Sequence, residues 1–285
     1  MENKDIIYSV TNTKLRKLYN NHVPLYVLSR YNEEIEIIKK QNQIDIYTIV
    51  YLLCKRFRKD KIIFFQKGTI GSMLVSYLLD ISYINPIEYN TPYIINTGLM
   101  KELYFEIALP EKYLNEYKQY LAYILNKMNL NQLIPFIKLV PFVDISGRMN
   151  IKISTIKKEF PSNRNIDLIS ILGLVLGTDI WEDNIKDIID TYSIADMPIT
   201  RDDVYIKLTN NGIDKILAYK IMNFVSTGKQ TNEKHLTEWN AYIKTIREHH
   251  IEEWYINVLK KVTYMFPKAH CCNLAMIYNI YNKDV

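Results

Sequence analysis

A few residues in the first half of the chain have the types and spacing that could do chemistry. From Leu103 to Leu109, apolar Leu103, Phe105, Ile107 and Leu109 alternate with Tyr104, Glu106 and Ala108. A period of two places the apolar set on one face of a strand and Tyr104 and Glu106 together on the other. A second extended run, Phe136 to Val143, ends in Asp144-Ile145-Ser146-Gly147. A carboxylate at the end of an apolar strand is a common place for a metal ligand, and an equally common way to start a turn. Upstream, Lys61 to Gln66 reads as a buried strand running into Lys67-Gly68-Thr69-Ile70-Gly71-Ser72, then into the helical pattern Met73 to Leu79. Strand, small-residue turn and helix together aim free backbone N–H groups at an anion, and the two glycines let a phosphate approach without a Cβ in the way. An ordinary tight turn has the same pattern.

The elements that must position these residues follow from periodicity. Asn12 to about Lys59 is rich in helix formers, and Glu33 to Lys40 alternates as a solvated helix face against a buried one. Lys55, Arg56, Arg58, Lys59 and Lys61 form a local basic cluster, read as a solvated helix end, with a phosphate-binding patch as the alternative. Pro110 closes the Leu103–Leu109 strand, and Glu111 to Leu125 resumes a helical pattern. From Asn165 onward the chain reads as helix. Leu168 to Leu176 is an apolar helix or strand stopped by Gly177, and Thr178 or Asp179 can cap a helix over Ile180 to Asp190. Asp214 can cap a helix through Val225 that Gly228 closes, and another helix runs from about Glu252 to Met265, ahead of Pro267. Mixed strand and helix therefore give way to nearly all helix, which puts a domain boundary near residue 150.

Composition bounds the class. The 285 residues are 48% hydrophobic and 24% charged, which excludes a disordered chain or a low-complexity fibre. With 36 Lys and Arg against 31 Asp and Glu, the net charge of +5 permits an acidic polymer as partner without demanding one. The three cysteines, Cys54, Cys271 and Cys272, make neither a disulfide framework nor a four-ligand zinc site, so the reducing cytosol is the expected location. The opening residues carry no secretory pattern, and the longest apolar run is about half a membrane span, so no membrane partner is expected. The pair Cys271-Cys272 reads as core. His235, His249 and His250 read as surface residues, and Trp181, Trp239 and Trp254 as core anchors.

Several strings taken together resemble one family. Glu253-Trp254-Tyr255-Ile256 with Tyr264-Met265-Phe266-Pro267-Lys268-Ala269-His270 looks like the fingers of the PolC-type DNA polymerase III α subunit of low-GC Gram-positive bacteria. Gly177-Thr178-Asp179-Ile180-Trp181, Arg201-Asp202-Asp203, and Ala218-Tyr219-Lys220-Ile221-Met222 with Gly228-Lys229 match further fingers motifs in family order. Gly68-Thr69-Ile70-Gly71-Ser72 is similar to the family's palm loop, and Ile81 to Tyr89 continues the match. The resemblance spans roughly residues 12 to 278, with large deletions.

It implies an α+β fold: a polymerase-β-like nucleotidyltransferase palm (1–150, with an N-terminal helical segment) followed by a helical fingers domain (151–285). The implied activity is addition of deoxynucleotides to a primer, with three carboxylates holding two Mg²⁺ ions. Carried over, the family's Asp-x-Asp strand corresponds to Tyr104-Phe105-Glu106 and its third aspartate to Asp144. Tyr104 is a neutral phenol at pH 7, and Glu106 is longer than Asp by about 1.5 Å. Only Asp144 is retained, so the implied metal set is Glu106 and Asp144. Lys67 stands for the family's Arg and loses its fork. Lys67, Gly68, Gly71, Ser72, Arg201, Lys268 and His270 carry over as nucleotide contacts. The family's zinc-binding cysteines have no counterpart, so no zinc is expected, and the length leaves no room for its exonuclease or clamp-binding parts.

Three readings result. The first is a reduced, catalytically impaired polymerase III α-like protein, a pseudoenzyme of a phage or mobile element. It would bind primer–template DNA, a deoxynucleoside triphosphate or replication proteins in a bacterial or phage-infected cell. The second is an active minimal polymerase. The third is a structural scaffold built on a degenerate polymerase fold.

Overall fold

The computed structural model describes residues 3–92, 104–142, 148–160 and 166–281. The chain is mixed α+β, mostly helical with one small sheet, and divides into two compact units, Met1–Val143 and Asp144–Val285. Asp144, expected as a metal ligand, lies outside the described residues, as does Leu103.

The first unit begins with α1 (Asn3–Leu18), α2 (Leu25–Lys40) and α3 (Ile44–Lys59). In α3, Val50, Leu53, Cys54 and Phe57 are buried at helical spacing. The sheet has β1 (Phe65–Gln66), β2 (Phe105–Leu109) and β3 (Ile137–Pro141), with β2 central, antiparallel to β1 and parallel to β3. A turn over Thr69–Ser72 and the short α4 (Leu74–Leu78) follow β1, and α5 (Leu114–Lys127) separates β2 from β3. The expected Lys61–Gln66 strand is cut to two residues. The register, Phe65 opposite Ala108, would set Ile63 against Pro110, which has no N–H to give. Lys61 is also left-handed, at φ 57°.

Phe105, Ile107 and Leu109 are buried as the alternation required, while Glu106 is half-exposed; Ala108 is buried as well. Phe105 meets Tyr47 of α3 edge-on at 5.0 Å, and Phe57 lies between Phe64 at 5.0 Å and Tyr117 of α5 at 4.6 Å. The helices thus close over the apolar side of β2, leaving Glu106 to point away from them.

The second unit holds α6 (Arg148–Glu159), α7 (Leu168–Leu176), a single turn α8 (Lys186–Ile188), α9 (Arg201–Asn210), α10 (Lys215–Ser226), α11 (Leu236–Glu248), α12 (Glu253–Lys261) and α13 (Lys268–Tyr281). Local chemistry sets the ends of these helices. Asp167 caps α7 and Asp214 caps α10 by accepting N–H bonds, and Gly228 follows α10 in the left-handed conformation at φ 69°.

Two expectations are corrected. The helix over Ile180 to Asp190 is broken, because Asp179 and Asp183 are left-handed (φ 60° and 52°) and the Asp179 carboxylate accepts the Thr263 hydroxyl at 2.6 Å instead of capping. The helix from Glu252 stops at Lys261, not Met265, because the following residues hydrogen-bond to distant segments. No helix among the described residues is long and apolar enough to cross a membrane.

Candidate functional site

In the first unit the antiparallel pairing of β1 with β2 sets the geometry. Lys67 N–H donates to the Glu106 carbonyl at 2.8 Å, and with its backbone held there, its ammonium reaches the Glu106 carboxylate at 2.9 Å. Tyr104 presents a half-exposed ring, 5.6 Å from that of Phe136. Gly68 takes φ 75° and ψ −161°, a backbone that side-chain-bearing residues avoid, and this turns the chain from β1 into Thr69–Ser72. Gly71 and Ser72 are buried. The Ser72 hydroxyl donates to the Thr69 carbonyl at 2.6 Å, and the Gly71 carbonyl accepts from Ser82 at 3.0 Å.

The N–H groups that open α4, which the strand–turn–helix pattern would aim at a bound anion, hold a carboxylate of the protein itself. Leu74 and Val75 N–H donate to Glu34 at 3.0 and 2.8 Å. Glu34 has no solvent exposure; burial pushes its carboxyl up, while Arg30 and the two N–H groups hold it back. Arg30 donates to Glu34 at 3.0 Å, to the Thr91 carbonyl at 2.9 Å and to the Ser72 carbonyl at 2.7 Å. This pair ties the loop to α2. Sequence reasoning missed it by reading Glu33 to Lys40 as simple alternation. Spacing from Val27 through Tyr31 to Ile38 does place position 34 on the buried stripe, and that signal was available.

In the second unit, segments far apart in sequence meet along residues 263–268. Thr178 N–H donates to the Tyr264 carbonyl at 3.0 Å, Met265 N–H to that of Ser226 at 3.1 Å, and Arg201 N–H to that of Phe266 at 3.1 Å. Gly228 packs so closely that a Cβ there would sit 2.4 Å from the Thr263 carbonyl oxygen. Thr200 and Asp203 form a reciprocal capping box at the start of α9. The buried Asp202 accepts the Lys268 N–H at 2.6 Å at the start of α13, and Asp203 lies 3.9 Å from the Lys268 ammonium. Burial pushes both aspartates up, opposed chiefly by Arg201 at Asp202 and by Lys268 at Asp203. The buried His270 ring stacks on Phe266 at 4.9 Å.

The candidate residues therefore fall into two groups. Lys67, Gly68, Gly71, Ser72, Tyr104 and Glu106 belong to the first unit, with Lys67 and Glu106 in contact. Arg201, Lys268 and His270 gather around residues 202, 203 and 266 in the second. Asp202 and Asp203 were seen only as neighbours of Arg201; their work as helix caps was not read.

A two-ion centre does not fit the described donors. Tyr104 offers a phenol, Glu106 is paired with an ammonium, and no group of three or more His, Cys, Asp or Glu able to hold a metal occurs among the described residues. Cys271 and Cys272 are buried, with the Cys272 thiol pushed up to about 12, as inert core residues would be.

Residues 5–128 match the family model described as the bacterial DNA polymerase III alpha NTPase domain. Among curated proteins, the chain is 40% identical over 114 residues to the PolC-type DNA polymerase III of Lactococcus lactis subsp. lactis, covering 39% of this chain and 7% of that protein. It is 39% identical over 106 residues to the PolC-type enzyme of Halalkalibacterium halodurans and 37% identical over 106 residues to that of Bacillus subtilis. Each of those matches covers 36% of this chain and 7% of the relative. The resemblance read from the motifs is borne out by these matches, and the aligned part spans less than a tenth of each relative's length.

Proposed function

We propose, from that kinship, that this chain is a PolC-like, DNA polymerase III α-related protein that binds primer–template DNA and nucleotide and is impaired in catalysis. In this reading the first unit is the palm and the second the fingers. Lys67 and the Gly68–Ser72 loop face the triphosphate, and Arg201, Lys268 and His270 contact incoming nucleotide or template. The convergence of Thr178, Arg201 and Ser226 on residues 264–266 supports the second assignment, since four separately matched motifs meet in one place.

The observation that carries the impairment is the exposed face of β2. Tyr104 cannot supply a bridging anion, and Glu106 is engaged by Lys67 at 2.9 Å. Two divalent ions held between substrate oxygens need dense negative charge, which these two side chains do not provide. Extension of a labelled primer, with Mg²⁺ and with Mn²⁺, tests the reading. Binding of primer–template that weakens steeply with salt, without extension, is the expected result. Robust extension that Glu106→Gln abolishes would make the chain an active polymerase. No binding at any salt would leave a scaffold role.

A further inference from the structure

The basic cluster at the end of α3 is more than a solvated helix end. Arg56 and Arg58 are used internally: Arg56 donates to Asp60, which also accepts the Tyr117 hydroxyl at 2.6 Å, and Arg58 donates to the Asp80 carbonyl. Lys55 and Lys59 point outward and form no ion pair among the described residues. They share one stripe of α3 with Tyr51, over whose ring the Lys55 ammonium sits at 5.8 Å. A matching stripe runs along α5, where Tyr120 and Tyr123 stack at 6.5 Å and Lys127 lies 6.0 Å over Tyr123. Arg56 joins the stripes, its guanidinium 5.6 Å over the Tyr120 ring. Tyr123 is 59% exposed.

Acidic groups here are few. Asp60 is neutralised by Arg56, and Glu116 stands one turn before Tyr120. The charge of the chain is also concentrated in this unit. Residues 1–143 hold 18 basic against 13 acidic residues, whereas residues 144–285 hold 18 of each, so the whole excess of +5 belongs to the first unit.

We infer that the α3–α5 face is a second nucleic-acid surface, one that takes single-stranded DNA or RNA with its bases on Tyr120 and Tyr123 and its phosphates on Lys55, Lys59 and Lys127. Sequence-tolerant strand binding uses this combination of flat rings between cations. An acidic polypeptide would use the lysines but not the ring faces. The surface is separate from the candidate site, because α3 and α5 cover the apolar side of β2 and Glu106 points from the other side. The inference does not depend on the polymerase reading.

The test is fluorescence anisotropy of a labelled oligothymidylate with the full chain across a salt series. Lys55→Ala/Lys59→Ala should lower the salt slope by about two, one per lost phosphate contact. Tyr123→Ala should weaken binding about 5- to 100-fold, and Tyr123→Trp should restore it. Lys67→Ala, on the other side of the sheet, should leave strand binding unchanged. Circular dichroism shows that each variant is folded, as expected for exposed positions. The inference fails if the wild-type chain does not bind the strand at low salt or if the lysine pair leaves the slope unchanged. It fails too if the lysines matter and Tyr123→Ala does not, which would point to an acidic polypeptide instead.

Discussion

Glu34→Ala is the sharpest probe of how the first unit holds its loop. The carboxylate has no solvent exposure, accepts from two backbone N–H groups of α4 and pairs with Arg30 at 3.0 Å. Removing it leaves two buried donors unmet and a largely buried guanidinium without its counter-ion. Breaking a buried pair from one side costs about 3–5 kcal/mol. With a urea dependence of about 2 kcal/mol per M, that is a fall of about 1.5–2.5 M in the unfolding midpoint. Glu34→Gln keeps the shape and one acceptor, and should lose less, about 1–3 kcal/mol.

The assay separates the units, because Trp181, Trp239 and Trp254 all lie in the second. Far-UV circular dichroism, which sees both, should show an early loss of helix in Glu34→Ala, while the tryptophan transition stays at its wild-type midpoint. If Glu34→Ala unfolds within about 0.5 kcal/mol of wild type, the surface-residue limit, Glu34 is not the anchor described here.

Three further outcomes are expected. Gly228→Ala combines a left-handed backbone with a Cβ 2.4 Å from the Thr263 oxygen, and should destabilise the second unit by at least about 2 kcal/mol, read by tryptophan fluorescence in urea. Asp202→Ala, by uncapping α13, should cost about 1–3 kcal/mol in the same assay, while Asp202→Asn, which still accepts the Lys268 N–H, should stay within about 1 kcal/mol of wild type. Glu159 accepts the Trp181 indole N–H at 2.9 Å and pairs with Lys186, and both hold its carboxyl below the ordinary range. A folded value below the unfolded one gives stability that is present above the unfolded value and lost as pH falls through the folded one. Acid titration of tryptophan fluorescence should therefore show an acid-side limb that Glu159→Gln flattens.

What the sequence revealed was mostly local. Asp214 and Gly228 mark the ends of α10 because a cap and a left-handed closure depend on a few neighbouring residues. The alternation through Phe105, Ile107 and Leu109 predicted their buried face for a similar reason. What escaped depends on partners distant in the chain. β1 is short because its register runs into Pro110, forty-odd residues on. The helix after Glu252 ends early because Thr178, Ser226 and Arg201 claim the backbone of residues 264–266. At the candidate site, Lys67 and Glu106 were each singled out, but their ion pair follows only from the β1–β2 register. Glu34 was misread because alternating charge suggested a wet face, while helical spacing placed it inside, at the start of α4.

Primer extension on a defined primer–template, with Mg²⁺ and Mn²⁺ in turn, bears most directly on the central claim that the face holding Tyr104 and Glu106 cannot support two-ion catalysis. The account predicts no extension above background from a chain that still binds the template in a salt-dependent way. Template-directed extension by the wild-type chain, abolished by Glu106→Gln, would contradict it.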